Sequence, residues 1–491
     1  MGILNIFNRQ DLPTPSASIH DIKYLEAVLN EWLFSPRRAE QLLAEKYYDG
    51  DHDILRRERK VIGSDGNLIP INNVANNKLV DNLYRKLVDQ KTNYVLGKPL
   101  TIATEKDEYV KELTKVFNKK VHRQLRVLAR YAVNGGIAWL YPYYDENKQF
   151  HLMVFPAHEI CPIWKDKSHT ELGGALRYYK EVVYEKNGGS TVFEHVDLFA
   201  IEGIKHYRRN GGALVETGFT SYMTVEGENY AWERLPIIPF KYNDTETPLI
   251  RGVKCLQDAL NQVLSDFQNN MEEDPRSTIL VLKNYDGTNI PEFRQNLATY
   301  GVIKVTTVDG VQGGVETLNV EVNAQNYQAI LMQLKRAIVE NGRGFDAKEE
   351  RMDGDPNQMN IESMYTDIDL DVNAMETEFQ AGFEELKWFI DQYIINKGKG
   401  DYTEEEVEFV FNRDIFINED AKIENCVKSS GIISRKTILT RHPWVTNVEH
   451  ELRQIEEDKQ ADMEEMEATL QMEAANAPKP DAKTGKDGAN K

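Results

Sequence analysis

The chain has 491 residues, with 59 Lys and Arg against 79 Asp and Glu for a net charge of −20; it is long enough for about three domains and too acidic to grip nucleic acid by neutralising phosphates along its length. Its three cysteines, Cys161, Cys255 and Cys426, lie far apart with no CxxC spacing, which excludes a disulfide framework and a structural zinc site. No run of 18 apolar residues occurs and mean hydropathy is −0.55, so no membrane span is predicted.

Residues 1–19 read as a flexible arm rich in Pro and Ser, with too short an apolar stretch for a signal peptide. From Asp21 to Tyr48, Ile22, Leu25, Val28, Leu29, Trp32, Leu42 and Leu43 recur at helical spacing, and Pro36 divides two helices. The basic stretch Arg56–Lys60 reads as a solvated loop before the turn Gly63-Ser-Asp-Gly66. Leu79, Val80, Leu83, Leu87, Val88 and Tyr94 predict a helix over 77–97 that stops at Gly97-Lys-Pro99, and another runs from Glu105 to about Asn134. Residues 137–240 are β-branched and aromatic runs between Gly, Asn and Asp turns, an antiparallel β region.

Near Pro248 a long helix begins whose apolar residues Leu249, Val253, Leu256, Leu260, Val263 and Phe267 fall at spacings of 4, 3, 4, 3 and 4, a seam that packs on a helix of the same or a neighbouring chain. Residues 275–323 read as a small α/β insertion, with strands at 277–282, 302–308 and 315–322 and a helix at 291–300. A return helix follows from Ala324 to about Glu340. The segment 341–357 is a Gly-rich loop carrying Arg343, Lys348 and Arg351 beside Asp346, Glu349, Glu350, Asp353 and Asp355. It reads either as a surface loop that touches a polyanion without holding it or as a loop of no special role. One long helix is predicted over 358–397, with a kink at the poor helix-former run Asp367–Val372. Residues 402–475 are mostly helical, with ten acidic and two basic residues between 449 and 473, and the tail 476–491 has a disordered composition. The fold class is therefore α+β, predominantly helical.

Chemistry-bearing motifs are missing from the sequence. There is no phosphate loop, Thr484-Gly-Lys486 lacking both the first glycine and the hydroxyl residue, and His158-Glu159 and His450-Glu451 lack the second histidine of HExxH. Asp367, Asp369 and Asp371 are the only imaginable carboxylate site for a divalent metal, but i and i+2 on a helix point to different faces. No metal or cofactor is predicted. The cluster Lys119, Lys120, His122, Arg123, Arg126 and Arg130 reads as a solvated helix face.

The order of segments, together with Lys46-Tyr-Tyr-Asp-Gly, Asn76-Asn-Lys-Leu-Val-Asp, Gln90-Lys-Thr-Asn-Tyr-Val-Leu-Gly-Lys-Pro, Pro236-Ile-Ile-Pro-Phe-Lys-Tyr-Asn, Leu264-Ser-Asp-Phe-Gln-Asn and Asn360-Ile-Glu-Ser-Met-Tyr, resembles the portal (head–tail connector) family of tailed bacteriophages, of the Gram-positive siphovirus type. The resemblance implies a protomer of wing, stem, clip and crown in a ring, usually of twelve, around a central channel at one capsid vertex. Carried onto this chain, 20–240 is wing, 241–270 and 324–340 stem, 271–323 clip, 341–357 tunnel loop, 358–397 a wing-spanning helix and 402–475 crown. It further implies double-stranded DNA packaged by a terminase motor, retained and ejected through the channel, contacts with head-completion, adaptor, major capsid and scaffolding proteins, and assembly in the host cytoplasm into the virion. No enzymatic activity is expected. Arg343, Lys348 and Arg351 would touch DNA transiently, and Leu249, Val253, Leu256, Leu260, Val263 and Phe267 would form the stem seam. A non-enzymatic capsid-associated structural or scaffolding protein is the alternative, and it should lack an α/β insertion between paired helices.

Overall fold

The computed structural model describes residues 19–62, 66–70, 75–185, 188–225, 228–273, 279–283, 314–318, 324–346, 358–413, 419–445 and 448–476. The chain divides into two compact units, Met1–Ala347 with Met364–Asp414, and Lys348–Ser363 with Ile415–Lys491. About half of the described residues are helical and the remainder include several antiparallel sheets.

In the first unit, α1 (Ile22–Leu33) and α2 (Pro36–Tyr48) part where expected. Ser35 ends the break by accepting from the Arg38 amide, with Pro36 at the first helical position, where its missing N–H costs nothing. The helix expected over 105–134 is two, α4 (Asp107–Val116) and α5 (Lys119–Gly135), because the Asn118 side chain caps the Lys120 and Val121 amides and starts a new helix. α5 ends at Gly136, whose φ of +76° and a Cβ that would lie 2.1 Å from the Glu246 carbonyl both demand glycine.

The β region holds two sheets. A five-stranded antiparallel sheet runs 213–220, 203–210, 190–200, 172–184, 160–164, and a three-stranded one runs 238–241, 137–144, 150–156. α1 lays Leu25 and Leu29 on the first sheet, against Cys161, Ile163, Leu176, Val196, Leu198 and Tyr207. α5 packs on the second through Val121, Leu125, Leu128 and Ala132, which leaves Arg123 and Arg126 in solvent, as the solvated-face reading requires.

The segment from α3 (Leu83–Leu96) differs most from expectation. Residues 75–82 are extended, not helical, and the helix starts after Asn82, which caps the Arg85 amide. α6 (Ile250–Glu273) and α7 (Ala324–Asn341) pack together, and between them strand 279–283 pairs antiparallel with 314–318. The helix expected at 291–300 and the strand at 302–308 lie outside the described residues. α8 (Gln358–Asn396) continues helically through Asp367–Val372 and buries Tyr365, Ile368, Val372, Met375, Phe379, Phe383, Leu386 and Ile390. Each such side chain contributes roughly 1.5–3 kcal/mol of burial. Phe240 stands edge-on to Phe379 and Phe383 and close enough to Gly382 that a Cβ there would meet the ring at 2.8 Å.

Residues 402–413, which the sequence groups with the C-terminal helices, belong to the first unit. Strand 408–410 pairs with 101–103, and Tyr402 stacks on Tyr109 at 4.4 Å. The second unit contains α9 (Glu419–Lys428), α10 (Arg435–Arg441) and α11 (Val448–Asn476), close to the three helices the sequence predicts.

Candidate functional site

The α6 seam divides by burial. Leu249, Val253 and Leu260 are buried inside the protomer, while Leu256, Val263 and Phe267 are half-buried. Phe267 faces Tyr327 of α7 at 5.0 Å, and Asn270 Nδ2 donates to the Tyr327 hydroxyl at 2.8 Å. The large apolar side chains of this helix pair that stay exposed are Met271, Ile330 and Met332.

Beside the apolar seam, α6 carries a second stripe that sequence reasoning missed. Gln257, Asn261, Ser265 and Asn269, each four residues after the last, are at most 1% exposed, and four-residue spacing keeps them on one face. They face the extended segment 75–82 and the start of α3. Asn269 Oδ1 accepts from the Asn77 amide at 2.6 Å, Ser265 Oγ from Leu79 at 2.9 Å, Asn261 Oδ1 from Asp81 at 3.0 Å and Gln257 Oε1 from Tyr84 at 3.0 Å. Gln257 Nε2 returns a bond to the Asp81 carbonyl at 2.7 Å. The segment thus has the backbone pairing of a strand, with a helix's side chains as its partner. The signal was present in the sequence as a polar four-residue repeat inside an apolar helix.

His52 closes this ladder. Its Nε2 donates to the Tyr47 carbonyl at 3.0 Å, so Nδ1 is left to accept from Asn261 Nδ2 at 2.8 Å, and the ring is held neutral. Burial draws its pKa down, and burial with the nearby Arg38 guanidinium draws His158 to about 4. Both rings bind fewer protons folded than unfolded. Their stabilisation is complete above the unfolded value near 6.5 and is lost as pH falls below it, up to about 3 kcal/mol for His158 by pH 4. Glu45, Glu385 and Asp391, raised by burial, act in the opposite sense, so the check is a comparison: His158→Gln should flatten the fall in urea midpoint between pH 6.5 and 4 relative to the parent.

A second network stands where α7 gives way to the charged loop. Asn341 to Asp346 are described, and α3 holds them. A Cβ on Gly342 or Gly344 would lie 2.5 or 2.2 Å from Leu87 methyls. The Gln90 amide pairs with both the Phe345 carbonyl, at 2.6 Å, and its N–H, at 3.3 Å. Phe345 stacks on Tyr365 at 4.5 Å, and Lys86 reaches Asp346 at 3.8 Å. Beneath them Lys91, with a fully buried side chain, donates to Asp371 Oδ2 at 2.6 Å and to the Arg343 carbonyl at 3.1 Å. Asp371 also accepts from the Tyr242 hydroxyl and lies 3.5 Å from Arg343 Nη1. Burial pulls the Lys91 ammonium down and Asp371 opposes that pull.

Of the three loop cations, Arg343 is therefore committed to Asp371 while 62% exposed, in a left-handed conformation with φ of +47°; Lys348 and Arg351 lie outside the described residues. Asp369 takes different partners from Asp371, the Tyr94 hydroxyl at 2.6 Å and Arg413 at 2.9 Å. Among the described residues no group of His, Cys, Asp and Glu is arranged to hold a metal. The Arg56–Lys60 stretch is paired locally, Arg57 with Asp266 at 2.7 Å and Arg56 with Asp51 at 2.6 Å.

A braced helix pair with an inserted strand pair, and a charged loop rooted in a buried ion network, describe a structural component rather than a reaction centre. The chain matches the family described as phage portal protein, SPP1 Gp6-like, over residues 36–465, and it belongs to that family. The portal protein of Bacillus phage SPP1 is 28% identical over 447 residues, covering 90% of this chain and 88% of the relative. The portal protein of Clostridium phage phiCD119 is 29% identical over 428 residues, covering 84% and 91%. A chain from the neck of an empty GTA particle computed with C6 symmetry covers 72% of this chain and 88% of its own length at a TM-score of 0.40 and 11% identity.

Proposed function

We propose that this chain assembles into a closed ring of twelve at one capsid vertex, that double-stranded DNA is driven inward through its channel by a separate terminase, and that the ring later releases DNA to the tail without a catalytic step of its own. The observation that carries this reading is the portal-family match across most of the chain, supported by an antiparallel strand pair set between two packed helices, the feature a scaffolding protein should lack. In this reading 20–240 is wing, 241–270 and 324–340 stem, 271–323 the clip that meets terminase and then head-completion and adaptor proteins, 341–357 the tunnel loop, and 358–397 the helix spanning the wing, with the crown starting near 415. Major capsid and scaffolding proteins meet the wing, and the assembly is a virion component formed in the host cytoplasm. Net charge of −20 per subunit suits a channel in which DNA slides. Lys348 and Arg351 make transient phosphate contacts, and Arg343 fixes the loop's root as well as facing DNA.

Native mass spectrometry of the purified chain, with negative-stain images, tests the ring: a species of roughly 680 kDa with a central hole is expected from twelve copies of 56.5 kDa, and a monomer or dimer at every concentration would overturn the reading. Because Leu249, Val253 and Leu260 are buried inside the protomer, neighbouring stems meet through exposed Ile330 and Met332 with half-buried Leu256 and Val263 alongside. Ile330→Asp should leave the protomer folded and weaken each interface by about 1.5–3 kcal/mol, ten- to a hundredfold, so that rings vanish at micromolar protein; intact rings would move the seam elsewhere. Lys348→Glu with Arg351→Glu should assemble normally yet package less DNA, and unchanged packaging would remove both residues from the DNA path. Chelator-sensitive cleavage of linear DNA by the pure ring would refute the non-enzymatic reading.

A further inference from the structure

Between α1, the start of α2 and the strands 137–144 and 160–164 lies a groove of about 560 Å³, floored by Trp139, Cys161, Ile163 and Trp164 and walled by Trp32 and Phe34. Its volume is that of a ligand cleft, and it has two features unlike an ordinary surface dent. Phe34 stands at its mouth 83% exposed. The indole Nε1 atoms of Trp139 and Trp164 and the Gln41 Oε1 are buried with no hydrogen-bond partner among the described residues. Two donors and an acceptor shut away from water beside an apolar floor call for an occupant that brings both hydrocarbon and polar groups.

We propose that the occupant is the chain's own N-terminal segment, residues 1–18, folded back from Ile19. Ile19 is packed on the core that contains Cys161 and Ile163, the residues that also floor the groove, so the chain before it departs from the groove's own wall. The segment holds Ile3, Leu4, Ile6 and Phe7 within five positions, followed by Pro13 and Pro15, which keep the residues before them extended. At about 3.3 Å per residue, the span from Phe7 to Ile19 reaches up to roughly 40 Å, ample for the return. Ile6 and Phe7 supply apolar cover for Phe34 and the tryptophans. The segment's backbone carbonyls accept from the two indoles, and one of its amides donates to Gln41, bonds that a second apolar surface without free backbone does not offer.

Deleting residues 1–18 from the otherwise complete chain tests this. Three of the six tryptophans, Trp32, Trp139 and Trp164, line the groove, so the deletion should shift tryptophan emission to the red and raise binding of an apolar dye while far-UV dichroism stays unchanged. A synthetic peptide of residues 1–18 should reverse both changes saturably, and the same peptide with Ile6→Asp and Phe7→Asp should not. Phe34→Asp in the truncated chain, a change at an exposed position that the fold tolerates, should weaken peptide binding at least tenfold. The proposal is overturned if deletion leaves emission unchanged and no peptide binds. It is equally overturned, in favour of a neighbouring copy, if diluting the intact chain to monomer reproduces the truncated spectrum.

Discussion

Asp371→Leu should be among the most damaging single substitutions in this chain. It strands the Lys91 ammonium, whose side chain is fully buried, with the Arg343 carbonyl as its remaining acceptor, and it takes an acceptor from Tyr242 and the counter-charge from Arg343. Breaking a buried pair by removing one partner costs roughly 3–5 kcal/mol, a large part of a typical stability of about 5–15 kcal/mol, so a fall in melting temperature of roughly 10 °C is expected. The double variant Lys91→Met with Asp371→Leu separates this cause from lost packing. Replacing the whole pair with apolar side chains of similar volume is often neutral, so the double variant should regain most of the loss. A double variant no better than the single one would show that Lys91 is not what Asp371 serves. The same node roots the charged loop, because Arg343 contributes both its carbonyl and its guanidinium, and rings of Asp371→Leu that still form should show faster proteolysis after Arg343 and Lys348.

Most helices were legible because their apolar period and punctuation agree: Pro36 divides α1 from α2, and the return helix begins at Ala324 and ends within one residue of Glu340, as read. Two failures have definite physical causes. Leu79, Val80, Leu83 and Leu87 give residues 77–97 a helical period throughout, yet 77–82 are extended because the side chains of Gln257, Asn261, Ser265 and Asn269 receive their backbone, and no local window contains that partner. Strand 408–410 was legible, but its pairing with 101–103, some three hundred positions earlier, was not, so residues 402–413 were grouped with the wrong unit. The DNA path is less legible still, since of Arg343, Lys348 and Arg351 only Arg343 is described, and it is held by Asp371.

The six short stretches that carried the family resemblance turn out to share a location. Tyr47 bonds through its carbonyl to His52 and Asn82; residues 77–81 lie on Ser265 and Asn269 and on the Asn261 between them and Gln257; Gln90 and Lys91 hold residues 343–345; Tyr242 meets Asp371; and Tyr365 stacks on Phe345. Weak matches scattered from 46 to 365 are thus contacts within two adjoining networks around α3 and α6. Those networks couple α6 to the loop that follows α7.

Asn261 is the residue on which the first network can be tested most sharply. Its Oδ1 accepts from the Asp81 amide at 3.0 Å and from Gln257 Nε2 at 3.1 Å, and its Nδ2 donates to His52 Nδ1 at 2.8 Å, all out of water. Asn261→Leu has a similar volume but leaves buried polar groups unpaired at about 1–3 kcal/mol each, so a loss of several kcal/mol at every pH is expected, with the Asp81 amide exchanging early. Asn261→Asp keeps the acceptor and places a carboxylate against His52. It should raise the folded-state pKa of that ring above the unfolded 6.5, so the new contribution is complete below 6.5 and disappears as pH rises through the raised value. The Asp variant should therefore be markedly weaker than the parent at pH 8 and recover toward pH 6, the reverse of the parent's response at His52. If both variants lose the same stability at both pH values, the ladder is ordinary packing and His52 has no part in it. If they split as expected, 75–82 is fastened to α6 by hydrogen bonds that only this face provides, and in the proposed ring a load on that helix passes directly into the segment that leads to α3.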